Sequence, residues 1–242
     1  MLPLKLTAET YAAKLQRFRL HGQVWLTPEE IPDDADVPPT WRAILEAADD
    51  VFADLLTSMW SCVIQRLPSV ENFFRENLQR PAVLQLPDRS IRLLYPFTIE
   101  QDDLNFFIGR PPLASFDATT SSVLQLPPGF ADFYRHVHDG WTFFPTQSMG
   151  PLSLDEQSML IDKLDVAPGN TRSSGIRAEH IRCVFHNGAG DYLCLDLRES
   201  RDEGCAAGRI WWHEDPEKLE AVDFWPTMDA WIGIFLEEAD RR

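Results

Sequence analysis

Cysteine and basic side chains are both scarce in this chain: four Cys and 22 Lys plus Arg stand among 242 residues, against 38 Asp plus Glu. Cys62, Cys183, Cys194 and Cys205 form no C-x-x-C pair and no finger-like spacing with histidine, which argues against a disulfide framework or a zinc module. A chain of this length buries roughly 70–75% of its unfolded surface, so its core needs no covalent staples. The shortage of base leaves a formal net charge of −16. Such a surface repels phosphate backbones and anionic lipid headgroups and attracts cationic partners. No nucleic-acid and no membrane partner is therefore expected. Long apolar runs are missing too: nothing approaches the roughly 18 residues of a membrane span. The segment from Met1 to Thr10 lacks the charged region and apolar stretch of a signal peptide. A cytoplasmic, reduced protein is the expectation.

Catalytic motifs are missing as well. There is no G-x-S-x-G elbow, P-loop, G-x-G-x-x-G turn or H-E-x-x-H helix. His136 and His138 are two residues apart and diverge on a helix, so they do not make a metal pair. Cys183 and Cys194 are expected as buried, reduced thiols. With His186 and Asp191 they would make a four-ligand set only if strand alternation were broken. Acidic pairs such as Asp33-Asp34 and Asp102-Asp103, with no motif around them, are weak evidence for acid–base chemistry. Neither catalysis, cofactor nor metal is expected. A hydrolase or metal enzyme would require separated acids to converge on His180, His186 or His213.

What the chain does have is a globular composition, 44% apolar with eight Trp and fifteen Phe, which excludes general disorder. Thr7 to Arg19 reads as a helix with Tyr11, Leu15 and Phe18 on one face, and Thr27, Pro28 and Glu30 as a capping box. Three-four spacing from Trp41 to Leu67 predicts one long helix, followed by a short one capped by Ser69. Ala82–Leu86, Ser90–Phe97 and Leu104–Ile108 read as strands, and Asp117 to Ser122 as a loop or boundary. Phe130, Phe133, Tyr134 and Val137 mark a helix that halts at Asp139-Gly140 before a strand, Trp141–Phe144. Ser153 and Glu156 predict another capped helix, through Leu164. A hairpin turns on Asn187 to Gly190, with Cys183 opposite Cys194, Phe185 opposite Tyr192 and His186 opposite Asp191. Gly208–His213 is a strand, and a last helix runs from about Thr227 to Ala239.

Parts of the second half resemble a known family. Leu126 to Gly140 is similar to the opening of the SUKH superfamily (the Smi/Knr-like group), in which proline precedes a short helix ending at an Asn-Gly or similar pair. Gly190 to Leu197 resembles that family's central strand, with its Gly-Asp start and an Asp at 196. Gly208 to His213 resembles the strand ending in an aromatic and His, and Ala221 to Leu236 the terminal amphipathic helix. Asp139 stands where Asn is commoner, and both tolerate a left-handed turn. The resemblance covers about residues 123–240. It implies an α+β fold: a curved mixed, mainly antiparallel sheet flanked by helices. Residues 123–242 would form the SUKH-like domain, and residues 1–122 a helix-rich N-terminal region with short strands, packed on it or fused with it.

The resemblance further implies function by binding. Members are mostly bacterial immunity proteins that neutralise a toxin, and fungal relatives act as regulatory scaffolds. The expected partner is thus a cognate toxin with a basic surface, such as a nuclease delivered by a secretion system. The alternative is an intracellular scaffold without a toxin. Interface candidates are the loop Gln147 to Leu152, the acids Glu199, Asp202, Glu203, Glu214, Asp215 and Glu217, and Trp141, Trp211 and Trp212 as anchors. For each Trp the alternative is core packing; for each acid it is a solvated face.

Overall fold

The computed structural model describes residues 6–99, 103–113, 126–164, 177–200 and 206–241. Among these the chain is α+β, with six helices and two antiparallel sheets. Helix α1 (Ala8–Arg17) starts where expected. The Thr7 hydroxyl accepts from the Thr10 N–H, and the Thr10 hydroxyl accepts from the Thr7 N–H at 2.9 Å. Its buried face carries Tyr11 and Leu15, but Phe18 lies past the helix end and is 46% exposed. Glu30 takes the N–H groups of Leu26 (2.6 Å) and Thr27 (3.3 Å), closing the capping box as a single 3-10 turn.

The long helix expected from Trp41 to Leu67 is instead two. α2 (Pro39–Glu46) and α3 (Phe52–Met59) are followed by a 3-10 turn at Ile64–Arg66 and by α4 (Pro68–Glu76). The break comes at Ala47, whose ψ of 150° is extended. Arg80 caps it: one guanidinium nitrogen donates to the carbonyls of Leu45 (2.5 Å) and Ala47 (2.7 Å), and the other pairs with Asp49 at 2.8 Å. The orphan carbonyls of α2 are thus satisfied by a side chain rather than by a next turn. One continuous helix would have run about 40 Å; two short ones each turn the same apolar stripe onto a common core. Ser69 is not a cap, because Pro68 already opens α4. Its N–H and hydroxyl both donate to Asp229 (2.9 and 3.0 Å), on the last helix α6 (Phe224–Arg241).

The first sheet is β1 (Gln23–Trp25), β2 (Ala82–Gln85), β3 (Ile91–Ile99), β4 (Asp103–Gly109) and β5 (Trp141–Phe144), in that order. β5 follows α5 (Phe130–His136) through Gly140, whose φ is +84°, a value that favours glycine. The second sheet contains β6 (Ser158–Met159), β7 (Ile181–His186), β8 (Tyr192–Ser200), β9 (Ala206–Trp212) and β10 (Asp215–Val222), as a meander. The α+β, mainly antiparallel expectation holds, with two sheets in which every described pairing is antiparallel. β5 belongs to the second half of the chain yet pairs with β4, so the two halves share the first sheet.

A short segment joins the sheets. Trp141 N–H donates to the Pro151 carbonyl and Phe143 N–H to Ser148 on one side. On the other, Met149 and Leu152 N–H groups donate to His186 and Val184. Ser148 to Leu152 therefore bonds to β5 and β7 at once. Inner faces of both sheets, with α2 to α6, enclose one continuous core around Trp41, Trp60, Phe73, Phe107, Phe133 and Met228. α1 covers part of the first sheet's outer face, burying Val24, Leu84, Leu94 and Phe106.

Two further expectations change. Ser153 and Glu156 do bond, the serine hydroxyl donating to Glu156 at 2.6 Å, but a turn follows, then β6 and a 3-10 turn at Leu160–Asp162. The hairpin turns on Asn187 to Gly190, but His186 pairs with Tyr192 and Phe185 with Leu193, one residue off the simple count. A bulge between Cys183 and Phe185 absorbs the slip, so Cys183 still faces Cys194.

Candidate functional site

The expected interface residues do not form one patch. Trp141 is fully buried, its ring parallel to Phe107 with centroids 4.0 Å apart; it is a core residue and offers nothing to a partner. Trp211 is buried, and its indole N–H donates to the Pro216 carbonyl at 3.2 Å. The loop Gln147 to Leu152 is likewise corrected, because Ser148, Gly150, Pro151 and Leu152 are buried in the seam between sheets. Asp202 and Glu203 lie outside the described residues.

Trp212, Glu214, Asp215 and Glu217 gather at the β9–β10 edge, and Glu199 lies near the far end of β8. From Glu214 to Asp223 the chain carries five acids, Glu214, Asp215, Glu217, Glu220 and Asp223, against Lys218 alone. Glu214, Asp215 and Glu217 are exposed and, among the described residues, make no ion pair or side-chain hydrogen bond. Trp212, half-buried, donates its indole N–H to Glu220 at 3.0 Å and packs edge-on against Trp231 of α6. Lys218 and the Trp212 N–H hold Glu220 below the usual carboxylate range, the indole contributing most. Glu199 is exposed but already paired with Arg209, which also lies 4.0 Å from the buried Asp196. At the turn beside this edge, Asp191 accepts from the His213 N–H (3.0 Å), bonds the His213 ring at Nδ1 (2.7 Å) and accepts from the Asn187 amide (2.8 Å). Burial would raise the Asp191 carboxyl; these hydrogen bonds outweigh it and hold the group low.

Sequence reading missed two polar groupings. The first is inside the core, where His138 Nε2 lies 2.6 Å from the Tyr95 hydroxyl and Nδ1 lies 2.8 Å from the Arg110 carbonyl. A carbonyl only accepts, so Nδ1 carries the proton, Nε2 accepts from Tyr95, and Tyr95 accepts from the Trp60 indole at 3.1 Å. The order is Trp60 to Tyr95 to His138 to the Arg110 backbone. Burial pushes the His138 pKa down to about 3, and the carbonyl bond only partly opposes it. Gly109 makes room for the ring: a Cβ there would sit 2.4 Å from it.

The second is a cleft of about 170 Å³ on the first sheet's outer face, beyond the end of α1. Leu86, Arg92, Ile108, Thr142 and Phe144 form its floor, and Leu20 a wall. Arg110, Asp139, Ser153 and Glu156 stand at its polar end. Arg110 is held by Asp155 (2.7 Å) and Glu156 (2.6 Å). Burial would lower its pKa, and these two carboxylates reverse that. Asp139 accepts from Leu154 N–H at 2.9 Å, yet burial still raises its pKa. The only sequence signals for this cleft were Arg92, interrupting an apolar strand, and Arg110, directly after Gly109.

Among the described residues, no group of three or more His, Cys, Asp or Glu is placed to hold a metal. No helix among them is long and apolar enough to cross a membrane. Comparison with family models, curated proteins and solved structures returned no match to this chain.

Proposed function

We propose that this chain is a SUKH-like immunity protein that binds a cognate toxin with a basic surface and neutralises it by contact rather than by turnover. The observation that carries the reading is the β9–β10 edge, where Glu214, Asp215 and Glu217 stand exposed and unpaired beside a half-buried Trp212. Unpaired carboxylates around an aromatic suit capture of a cationic protein, by steering its approach and anchoring it on arrival. The order of elements supports the family part of the reading. A short helix, α5, ends at His136 and leads through Gly140 into a strand; an antiparallel meander, β6 to β10, then ends in the long helix α6. The departure from that reading is β5, which pairs with β4 and not with the meander.

The experiment is to express the product of the adjacent reading frame in a sensitive host, with and without this protein, and record growth. The expected result is toxicity that this chain relieves, with the two proteins co-purifying. The triple variant Glu214→Lys, Asp215→Lys, Glu217→Lys should keep its fold and lose both rescue and co-purification. Toxicity that the wild-type chain does not relieve, or no toxic neighbour, would turn the reading towards a scaffold without a toxin.

A further inference from the structure

The cleft beside α1 contains two arginines in different electrostatic positions. Arg110 is neutralised by two carboxylates. Among the described residues Arg92 donates only to the Ile91 carbonyl, at 2.7 Å, and no carboxylate lies within 4.0 Å of it. It is nevertheless partly removed from water, and that burial, followed by the neighbouring Arg110, disfavours its charge. Asp88, Glu156 and Asp155 favour its charge from beyond contact, without offsetting burial. A half-buried guanidinium with no carboxylate in contact is costly, and a ligand that supplies one recovers part of that cost.

We propose that this cleft binds a small carboxylic acid with an apolar body, its carboxylate on Arg92 and its body against Leu20, Leu86, Ile108 and Phe144. The chemistry of the lining selects that class. A planar guanidinium fork matches a carboxylate in two parallel hydrogen bonds, and Thr142 adds a hydroxyl to the cleft lining. A dianion such as phosphate is disfavoured, because Asp139 and Glu156 line the same cleft and repel a second negative charge. The volume of about 170 Å³ sets the size, since an apolar cavity of about 150 Å³ holds one benzene ring. The site is on a different part of the molecule from the acidic β9–β10 edge, and it stands whether or not a toxin is the partner.

The test is titration of the full chain with phenylacetate at neutral pH, followed by calorimetry and amide-resolved NMR. Phenylacetamide and benzylamine serve as the neutral and cationic controls, and an acidic peptide as the macromolecular one. Phenylacetate is expected to saturate with a Kd at or below about 1 mM, shifting the amides of Arg92, Ile108 and Thr142. Both small controls should bind at least about tenfold more weakly, the loss of a charge-assisted pair. Arg92→Gln should weaken phenylacetate by about ten- to a hundredfold without lowering the thermal unfolding temperature, and Arg92→Lys should fall between. Should Arg92→Gln fail to fold, the acid–amide comparison and the shift map on the wild type decide alone. Equal binding of acid and amide, shifts confined to another surface, or no saturation by about 20 mM would overturn the proposal. So would tight binding of the acidic peptide alone, which would assign the cleft to a protein partner.

Discussion

Trp141 and Phe107 lie ring on ring, centroids 4.0 Å apart and planes within 8° of parallel, one from each half of the chain. Trp60 meets the same indole edge-on at 5.1 Å and Tyr95 does so at 5.8 Å, so Trp141 joins α3, β3, β4 and β5 at one point. Its indole N–H finds no acceptor. Trp141→Ala should therefore cost about 3–5 kcal/mol of stability. Trp141→Phe should cost clearly less, because it keeps most of the stacked surface and removes a buried, unpartnered donor. Urea unfolding midpoints check both, and an unfolding loss for Trp141→Phe as large as for Trp141→Ala would refute the packing account.

His138 gives the fold an acid sensitivity of known sign. Its pKa falls from 6.5 to about 3 on burial, so the folded protein binds fewer protons than the unfolded chain between those values. The stability it contributes is complete above pH 6.5 and is lost as pH falls towards 3. By pH 5 that loss amounts to about 2 kcal/mol. His186, also pushed down by burial, adds in the same direction. His138→Gln should be less stable at neutral pH and lose less stability on acidification than the wild type. Unfolding free energies across that pH range are the measurement, and parallel curves for the two proteins would remove His138 from the effect.

Tyr95 is the middle of the core chain, and Tyr95→Phe removes one hydroxyl with little change of shape. It strands the Trp60 N–H and leaves His138 Nε2 without a donor. The expected cost is about 1–3 kcal/mol for each group left unpaired. A cost near zero would mean that the buried polar groups find other partners.

Cys183 and Cys194 face each other with sulfurs 3.6 Å apart, both buried. Burial, followed by the hydrogen bond to Cys183, pushes the Cys194 thiol far above its ordinary range. Thiolate is the reactive form, so Cys194 should not be alkylated in the native protein at mildly alkaline pH, and Cys183 is shielded from the reagent by its burial. Mass-spectrometric mapping should find both modified only at the rate of global unfolding. Rapid native labelling of Cys194 would show that the second sheet opens locally.

How much of this was legible in the sequence depends on the range of the interaction. Local signals carried through: the helix opening at Thr7, the Glu30 box, the short helix ahead of Asp139-Gly140, and the Cys183–Cys194 pairing all depend on residues near in sequence. The break in the helix after Trp41 did not, because the group that caps it is Arg80, more than thirty residues away. β10 was missed because Asp215 to Glu220 reads as an acidic loop; as an edge strand its charges discourage pairing with further strands. Trp141 reads from sequence as core more readily than as an anchor, but sequence alone does not choose, since its stacking partner lies in a distant strand. The cleft was invisible for the same reason: Leu86, Arg92, Ile108 and Thr142 share a face only after four segments have paired.

Gly150 is where the joining of the two sheets is tightest, and it gives the most local test of the fold. A Cβ at this position would lie 1.9 Å from the Trp141 carbonyl oxygen and 3.2 Å from its ring, so the obstacle is backbone that has no rotamer to escape into. The neighbouring Trp141 N–H to Pro151 bond and the Leu152 N–H to Val184 bond hold the segment from both sides. Gly150→Ala must push it away from β5 or from β7, breaking one set of bonds. The expected loss is about 3 kcal/mol or more, at the upper end of single substitutions. Hydrogen exchange should show faster opening at Trp141, Phe143 and Leu152, while amides of α1 keep their protection until global unfolding. Unchanged exchange at those three amides would mean that the two sheets are held together by the helical core alone.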